Sequence, residues 1–310
     1  MAIEKLEDSA LAEIEAHATE FARQAGQIVC AQFRQPTEVQ FKGKMNSDPV
    51  TAADRLSDEC LKKLIRFKFP SHCILSEEGG APEESGSDFA WVIDPLDGTA
   101  NFMNGLPLFA ISIGVLWKGQ PVAGSIYVAV SHQGTEGVYH ACLGKGAFFN
   151  GQKIEVNGKP SGRPLAEIPF RSGLRLSGRS RKEPHEARNL GSIAVELAMA
   201  ASGVFEYVLF GSPKIWDVAA GVLLVKEAGG LCLVRGAGGK TWQPLERFQG
   251  ENKGDPESLE NLRKWSMPMV AGAPQIASQV ARDIRIQRRP LASLLQRFRP
   301  KGRKDNTNKP

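Results

Sequence analysis

The chain has 310 residues, 42% of them hydrophobic and 24% charged, with a net charge of +5. It is long enough for one large domain or two closely packed halves around an apolar core, and it has no run of about 18 apolar residues to serve as a membrane span. The five cysteines (Cys30, Cys60, Cys73, Cys142 and Cys232) are scattered and form no C-x-x-C pair, which speaks against a disulfide framework or a zinc knuckle and for a reducing compartment.

The charge is uneven. Residues 281–310 carry +8, which leaves −3 for the rest, so basicity is a property of a tail and not of the whole surface. The N-terminal stretch MAIEKLEDSALAEIEAHATEF reads as neither a signal peptide nor a transit peptide, and the cytoplasm is the expected location. Leu11, Ile14, Ala18, Phe21, Ala25, Ile28 and Val29 recur at helical spacing within residues 9–33. A short strand at Val39–Lys42 leads into a polar loop. A second helix is predicted from Thr51, with Leu56, Cys60, Leu61, Leu64 and Ile65 on one face.

Strands follow at Cys73–Ser76, Phe89–Ile93, Phe109–Trp117 and Val122–Val130, all rich in β-branched and aromatic residues. Asn150-Gly151 predicts a hairpin turn. Beyond residue 160, helices at 189–202 and 217–228 alternate with short strands at 204–209, 231–234 and 269–272. A Gly- and Pro-rich excursion occupies 236–262, and a last helix is predicted near 274–286. The pattern suggests one layered α/β (α+β) domain over residues 1–278, with halves 1–160 and 161–278, followed by a basic tail at 279–310.

The densest chemistry lies at Trp91-Val92-Ile93-Asp94-Pro95-Leu96-Asp97-Gly98-Thr99. An apolar strand delivers Asp94, Pro95 stops the ladder, and Asp97 can converge on the same point. Gly98 and Thr99 offer backbone N–H groups if a helix starts there. Paired carboxylates repel unless a cation neutralises them. With no His or Cys nearby, the donor set favours Mg²⁺ or Mn²⁺ over zinc. Three further segments carry acids: Glu77-Glu78 after an apolar strand, Asp54 in the first turn of a helix, and Asp217 where another helix begins. Taken singly, each reads equally as a solvated turn or a helix cap.

Together and in this order, D-P-L-D-G-T with a later W-D-V-A-A-G resembles the inositol monophosphatase family of Mg²⁺-dependent, Li⁺-sensitive phosphatases, from the first helix to Ala271-Gly272-Ala273-Pro274. The resemblance implies an αβαβα sandwich and, commonly, a homodimer. It implies one Mg²⁺ on Glu77, Asp94 and the carbonyl of Leu96, a second on Asp94, Asp97 and Asp217, and a third, weaker ion near Glu77. By the same resemblance Gly98 and Thr99 hold the phosphate, and the Thr99 hydroxyl, oriented by Asp54, helps to deprotonate water. Lys42 matches a basic residue of the first loop, and Gly191 and Ser192 match the substrate-pocket lining.

Two departures bear on substrate. Phe210 stands seven positions before Asp217, where similar enzymes place an acid that grips sugar hydroxyls; it either faces an aromatic or more anionic ligand or packs inward. The segment Arg171–Lys182 holds five basic residues, either as a solvated loop or as a second phosphate or nucleotide site. A small phosphorylated metabolite is expected, inositol 1-phosphate or a related sugar phosphate. A 3′-phosphoadenosine 5′-phosphate, fructose-1,6-bisphosphate or histidinol-phosphate phosphatase on the same scaffold stays open. The basic amphipathic segment from Arg288 to Arg299 is expected to be a solubilising tail or a contact for anionic lipid or nucleic acid.

Overall fold

A computed structural model describes residues 7–35, 39–41, 49–79, 86–157, 164–169, 174–182, 185–236, 241–250, 255 and 257–286. Lys42 and the loop after it, residues 171–173 and the tail from 287 lie outside the described residues.

The first half begins with α1 (Asp8–Gln32), a small antiparallel pair β1 (Val39–Phe41) and β2 (Pro49–Thr51), and α2 (Ala52–Lys68). A seven-stranded sheet follows in sequence order: β3 (Cys73–Ser76), β4 (Phe89–Asp97), β5 (Ala110–Trp117), β6 (Gln120–Val128), β7 (Gly137–Cys142), β8 (Gly146–Phe149) and β9 (Gln152–Ile154). Its strands run antiparallel except for β3 beside β4. The short helix α3 (Thr99–Met103) links β4 to β5.

The second half contributes β10 (Leu165–Glu167), β11 (Leu174–Leu176), α4 (Gly178–Lys182), β12 (Glu186–Arg188), α5 (Ile193–Ala201), β13 (Phe205–Phe210), α6 (Ile215–Glu227), β14 (Leu231–Val234), β15 (Gln243–Pro244), α7 (Leu259–Lys264), β16 (Met269–Gly272), α8 (Pro274–Asp283) and β17 (Ile284–Ile286). Six of these strands form a mixed sheet in the order β12-β10-β13-β16-β14-β15.

Apolar periodicity decides the layers. The buried stripe of α1 and that of α2 pack on one face of the first sheet. Helices α5 and α6, apolar nearly all round, lie between the two sheets. Helix α8 covers the outer face of the second sheet, with its Ala277 and Val280, and Ile284 just beyond it, against Tyr207, Leu209 and Val270. The result is the αβαβα sandwich. Helix α2 differs from expectation on one point: Leu56 is 43% exposed, while Ala53, Asp54, Ser57, Asp58, Leu61 and Ile65 form the buried face.

Close approach of α6 to the first sheet rests on two glycines. Gly114 and Gly124 face each other across β5 and β6. A Cβ on Gly114 would meet the Ala219 Cβ at 2.6 Å, and one on Gly124 would meet the Ala220 oxygen at 3.0 Å. Bare backbone therefore lets α6 lie directly on the strands, which brings its first turn to the end of β4. Pro95 does not end β4 as expected. The register slips between Asp94, opposite Ser112, and Asp97, opposite Ala110, so a bulge at Pro95-Leu96 absorbs the missing N–H and pairing resumes.

The packed body also continues past residue 278. Helix α8 ends at Asp283, and Ile284–Ile286 pairs antiparallel with Leu174–Leu176. The Asp283 carboxylate accepts from the Ser180 N–H and hydroxyl, both at 2.8 Å, which ties α4 to α8. The described part of the basic segment, with Arg175, Arg179, Arg181 and Lys182 exposed, thus joins α8 on the side of the second sheet away from α5 and α6.

Candidate active site

The end of β4 delivers Asp94 into the interior, 2% exposed, with its Oδ1 accepting the Leu96 N–H at 3.0 Å. The bulge makes that bond possible by turning Leu96 back over Asp94. Burial holds the Asp94 carboxyl well above its ordinary range, reinforced by the charges of Glu77, Asp97 and Asp217 and by a hydrogen bond shared with Glu77. Glu77 reaches this point because β3 runs parallel to β4 and its N–H continues the pairing, onto the Ile93 oxygen at 3.1 Å.

Asp97 lies three residues on, pushed up to about 6 chiefly by burial and held back by donors from Ser192, Ala194 and Gly98. Its Oδ2 accepts the Ser192 hydroxyl at 2.7 Å and the Ala194 N–H at 2.6 Å. Asp217, in the first turn of α6, accepts the Lys214 N–H at 2.7 Å. Its carboxyl is also raised, first by burial and then by Asp97, while Lys214 opposes the shift. Four carboxylates from β3, β4 and α6 therefore face one another.

Asp54 combines both roles the sequence allowed. Oδ2 caps α2, accepting the Thr51 N–H at 2.7 Å and the Thr51 hydroxyl at 2.5 Å. Oδ1 accepts the Thr99 hydroxyl at 3.1 Å. The same hydroxyl lies 3.0 Å from the Leu96 oxygen. Thr99 is placed by Gly98, whose φ of 90° no side chain adopts comfortably and where a Cβ would meet the Leu108 oxygen at 3.0 Å.

The donors suit a hard divalent cation. They are all oxygens, they repel one another, and one oxygen each of Asp94, Asp97 and Asp217 is fixed by a protein N–H, which orients the other. Among the described residues no group of three or more His, Cys, Asp or Glu already stands in metal-holding geometry. A bound cation would reverse the sign of the carboxylates' mutual interaction.

Substrate-side expectations fare differently. Gly191, at φ 78°, is exposed just before α5, but Ser192 is 1% exposed and spends its hydroxyl on Asp97. Phe210 ends β13 with 4% of its surface exposed, inside the apolar cluster around α5 and α6, so inward packing is the arrangement present. Sequence reading missed two groups beside the site. Asn101, on α3, donates to the Leu108 and Leu190 oxygens, both at 2.6 Å. Glu167 and Glu196 are 1% and 2% exposed and face each other between β10 and α5. Burial pushes Glu167 up to about 9 and Glu196 up to about 8. An acid inside the apolar run Ile193–Ala201 was the one signal that could have revealed the pair.

Residues 10–263 match the inositol monophosphatase family. The Nus factor SuhB of Pasteurella multocida is 35% identical over 223 residues, 68% of this chain and 80% of that protein. The fructose-1,6-bisphosphatase/inositol-1-monophosphatase of Aquifex aeolicus is 34% identical over 215 residues, 66% of this chain and 80% of that one. The solved inositol monophosphatase from Anabaena has a TM-score of 0.64 at 26% identity, covering 92% of this chain and 99% of its own. A match of this extent, over the segments that carry the clustered acids, places this chain in the inositol monophosphatase family, as a phosphoric monoester hydrolase.

Proposed function

We propose that the chain hydrolyses a small sugar or polyol phosphate, inositol 1-phosphate or a close relative, with Mg²⁺ held by Glu77, Asp94, Asp97, Asp217 and the Leu96 carbonyl. The observation that carries this reading is the convergence of Glu77, Asp94, Asp97 and Asp217, with burial first and then the neighbouring carboxylates raising Asp94 and Asp217. Bound there, Mg²⁺ supplies a neutralising charge for the phosphate and a lowered pKa for water; Mn²⁺ shares the same oxygen preference. Asp54 fixes the Thr99 hydroxyl, which would accept a proton from the attacking water while giving its own proton to the Asp54 carboxylate. Gly191 borders the substrate pocket.

Phe210, packed inward, supplies no acceptor to the hydroxyls of a polyol. That absence costs about 1.5–3 kcal/mol, or roughly ten- to hundred-fold in affinity. The loss falls on KM rather than kcat, because the metal ligands and Thr99 act on the phosphate.

Phosphate release from inositol 1-phosphate, fructose-1,6-bisphosphate, 3′-phosphoadenosine 5′-phosphate and histidinol phosphate tests the proposal. We expect Mg²⁺-dependent release that chelation abolishes and Li⁺ inhibits, fastest on the polyol and sugar phosphates and with a high KM. Release from the adenosine bisphosphate alone would transfer the assignment to a nucleotide substrate. Thr99→Ala is expected to slow turnover by at least about tenfold with Mg²⁺ affinity little changed, read by steady-state kinetics beside calorimetry. A large loss of Mg²⁺ binding would mean that Thr99 serves the metal.

A further inference from the structure

Asp97 is oriented almost wholly by the start of α5, and what holds that start lies one step further from the substrate. The Glu196 Oε1 accepts the Leu190 N–H at 2.6 Å and the Gly191 N–H at 3.2 Å. From the opposite side the Asn101 amide donates to the Leu190 oxygen at 2.6 Å. The Leu190–Gly191 peptide is therefore pinned at both its C=O and its N–H, by side chains from two different helices. Asn189, one residue earlier, donates to Glu167 at 3.3 Å.

The clamp has little room to yield. A Cβ on Gly191 would meet the Asn101 amide at 3.1 Å, and one on Gly98 would meet the Ser192 Cβ at 3.1 Å. Two residues beyond Leu190, the Ser192 hydroxyl grips Asp97, and the Ala194 N–H grips the same oxygen. A movement of the 190–192 backbone therefore displaces both donors that aim Asp97.

We propose that Glu196, with Asn101, is a positioning residue for Asp97, holding the Leu190–Ser192 backbone so that Asp97 is aimed for Mg²⁺. The inference rests on the metal assignment above. Glu196 touches no substrate: it is buried and acts through main chain. Outer-shell partners of metal ligands are worth about 10- to 100-fold in metal affinity, and Glu196→Ala is expected to fall in that range.

Titration calorimetry of Mg²⁺ into the full-length protein, beside the Mg²⁺ concentration for half-maximal phosphate release, tests it. Glu196→Ala should weaken Mg²⁺ binding about tenfold or more and raise the half-maximal concentration in step. Glu196→Gln, whose amide oxygen can accept the same two N–H groups, should restore both toward the wild type. Asn101→Ala should weaken Mg²⁺ binding in the same direction, and the double variant should lose less than the product of the two, because both act on one peptide. If Glu196→Ala does not fold, Asn101→Ala and Glu196→Gln carry the test. Folded variants with wild-type Mg²⁺ affinity would overturn the positioning role. A wild-type protein that neither binds Mg²⁺ nor releases phosphate would instead overturn the metal assignment beneath it.

Discussion

Asp94→Asn is expected to lower turnover by at least about 10³-fold while raising the melting temperature of the metal-free protein. The two effects have one origin. Asp94 is 2% exposed and confronts Glu77, Asp97 and Asp217, so an ionised carboxylate there is a cost to the folded state without a cation. Asparagine keeps the shape and the acceptor for the Leu96 N–H, but it removes the charge that both repels the neighbours and attracts the ion. Mg²⁺ should raise the melting temperature of the wild type and leave the variant unmoved. Near-normal turnover would remove Asp94 from the metal site. Lost turnover with lowered metal-free stability would make Asp94 a structural acid.

What the sequence made legible follows from how local each signal is. A strand that ends in Asp94-Pro95-Leu96-Asp97, a Thr51–Asp54 cap and a Trp216-Asp217 helix start all fall within a few residues, and the structure brings their acids together. The bulge at Pro95 was not legible, because whether a proline ends a ladder or is absorbed depends on the partner strand β5. Ile284–Ile286 read as more helix, since Val280 and Ile284 keep helical spacing; only pairing with the distant Leu174–Leu176 switches it to strand. The exposure of Leu56 and the inward packing of Phe210 are likewise decided by which neighbours the fold supplies. Glu167 escaped notice because a three-residue strand has no period to read, and its meaning depends on Glu196 across the layer.

That buried pair sets the second large expectation: Glu167→Gln should raise the melting temperature at pH 8 and change it little at pH 5. Burial first, and then the charge of Glu196, push Glu167 up to about 9, against an ordinary value of 4.5. The unfolded chain ionises near 4.5, whereas the folded chain holds the proton to about 9. Unfolding therefore releases a proton throughout that window, and the contribution to stability is greatest below it and is lost as pH rises through it. At about 1.4 kcal/mol per pH unit the shift sets a ceiling of several kcal/mol, and relaxation around a charged pair leaves about 2 kcal/mol as a working figure. In a chain of this size that is about 3 °C. Glutamine cannot ionise; its amide oxygen still accepts the Leu209 N–H, now bonded to Glu167 at 3.1 Å, and its NH2 meets the Asn189 amide, now at 3.3 Å, once that amide turns its oxygen round. Removing one carboxyl leaves Glu196, raised to about 8 chiefly by its own burial and further by Asp97, with its main-chain bonds intact. Titrations away from the pair cancel in the difference between the two proteins' melting curves, so that difference isolates Glu167 together with its coupling to Glu196. A gap that stays constant from pH 5 to pH 8, or a wild type that gains on the variant as pH rises, would show that Glu167 is ionised in the fold and compensated by a partner.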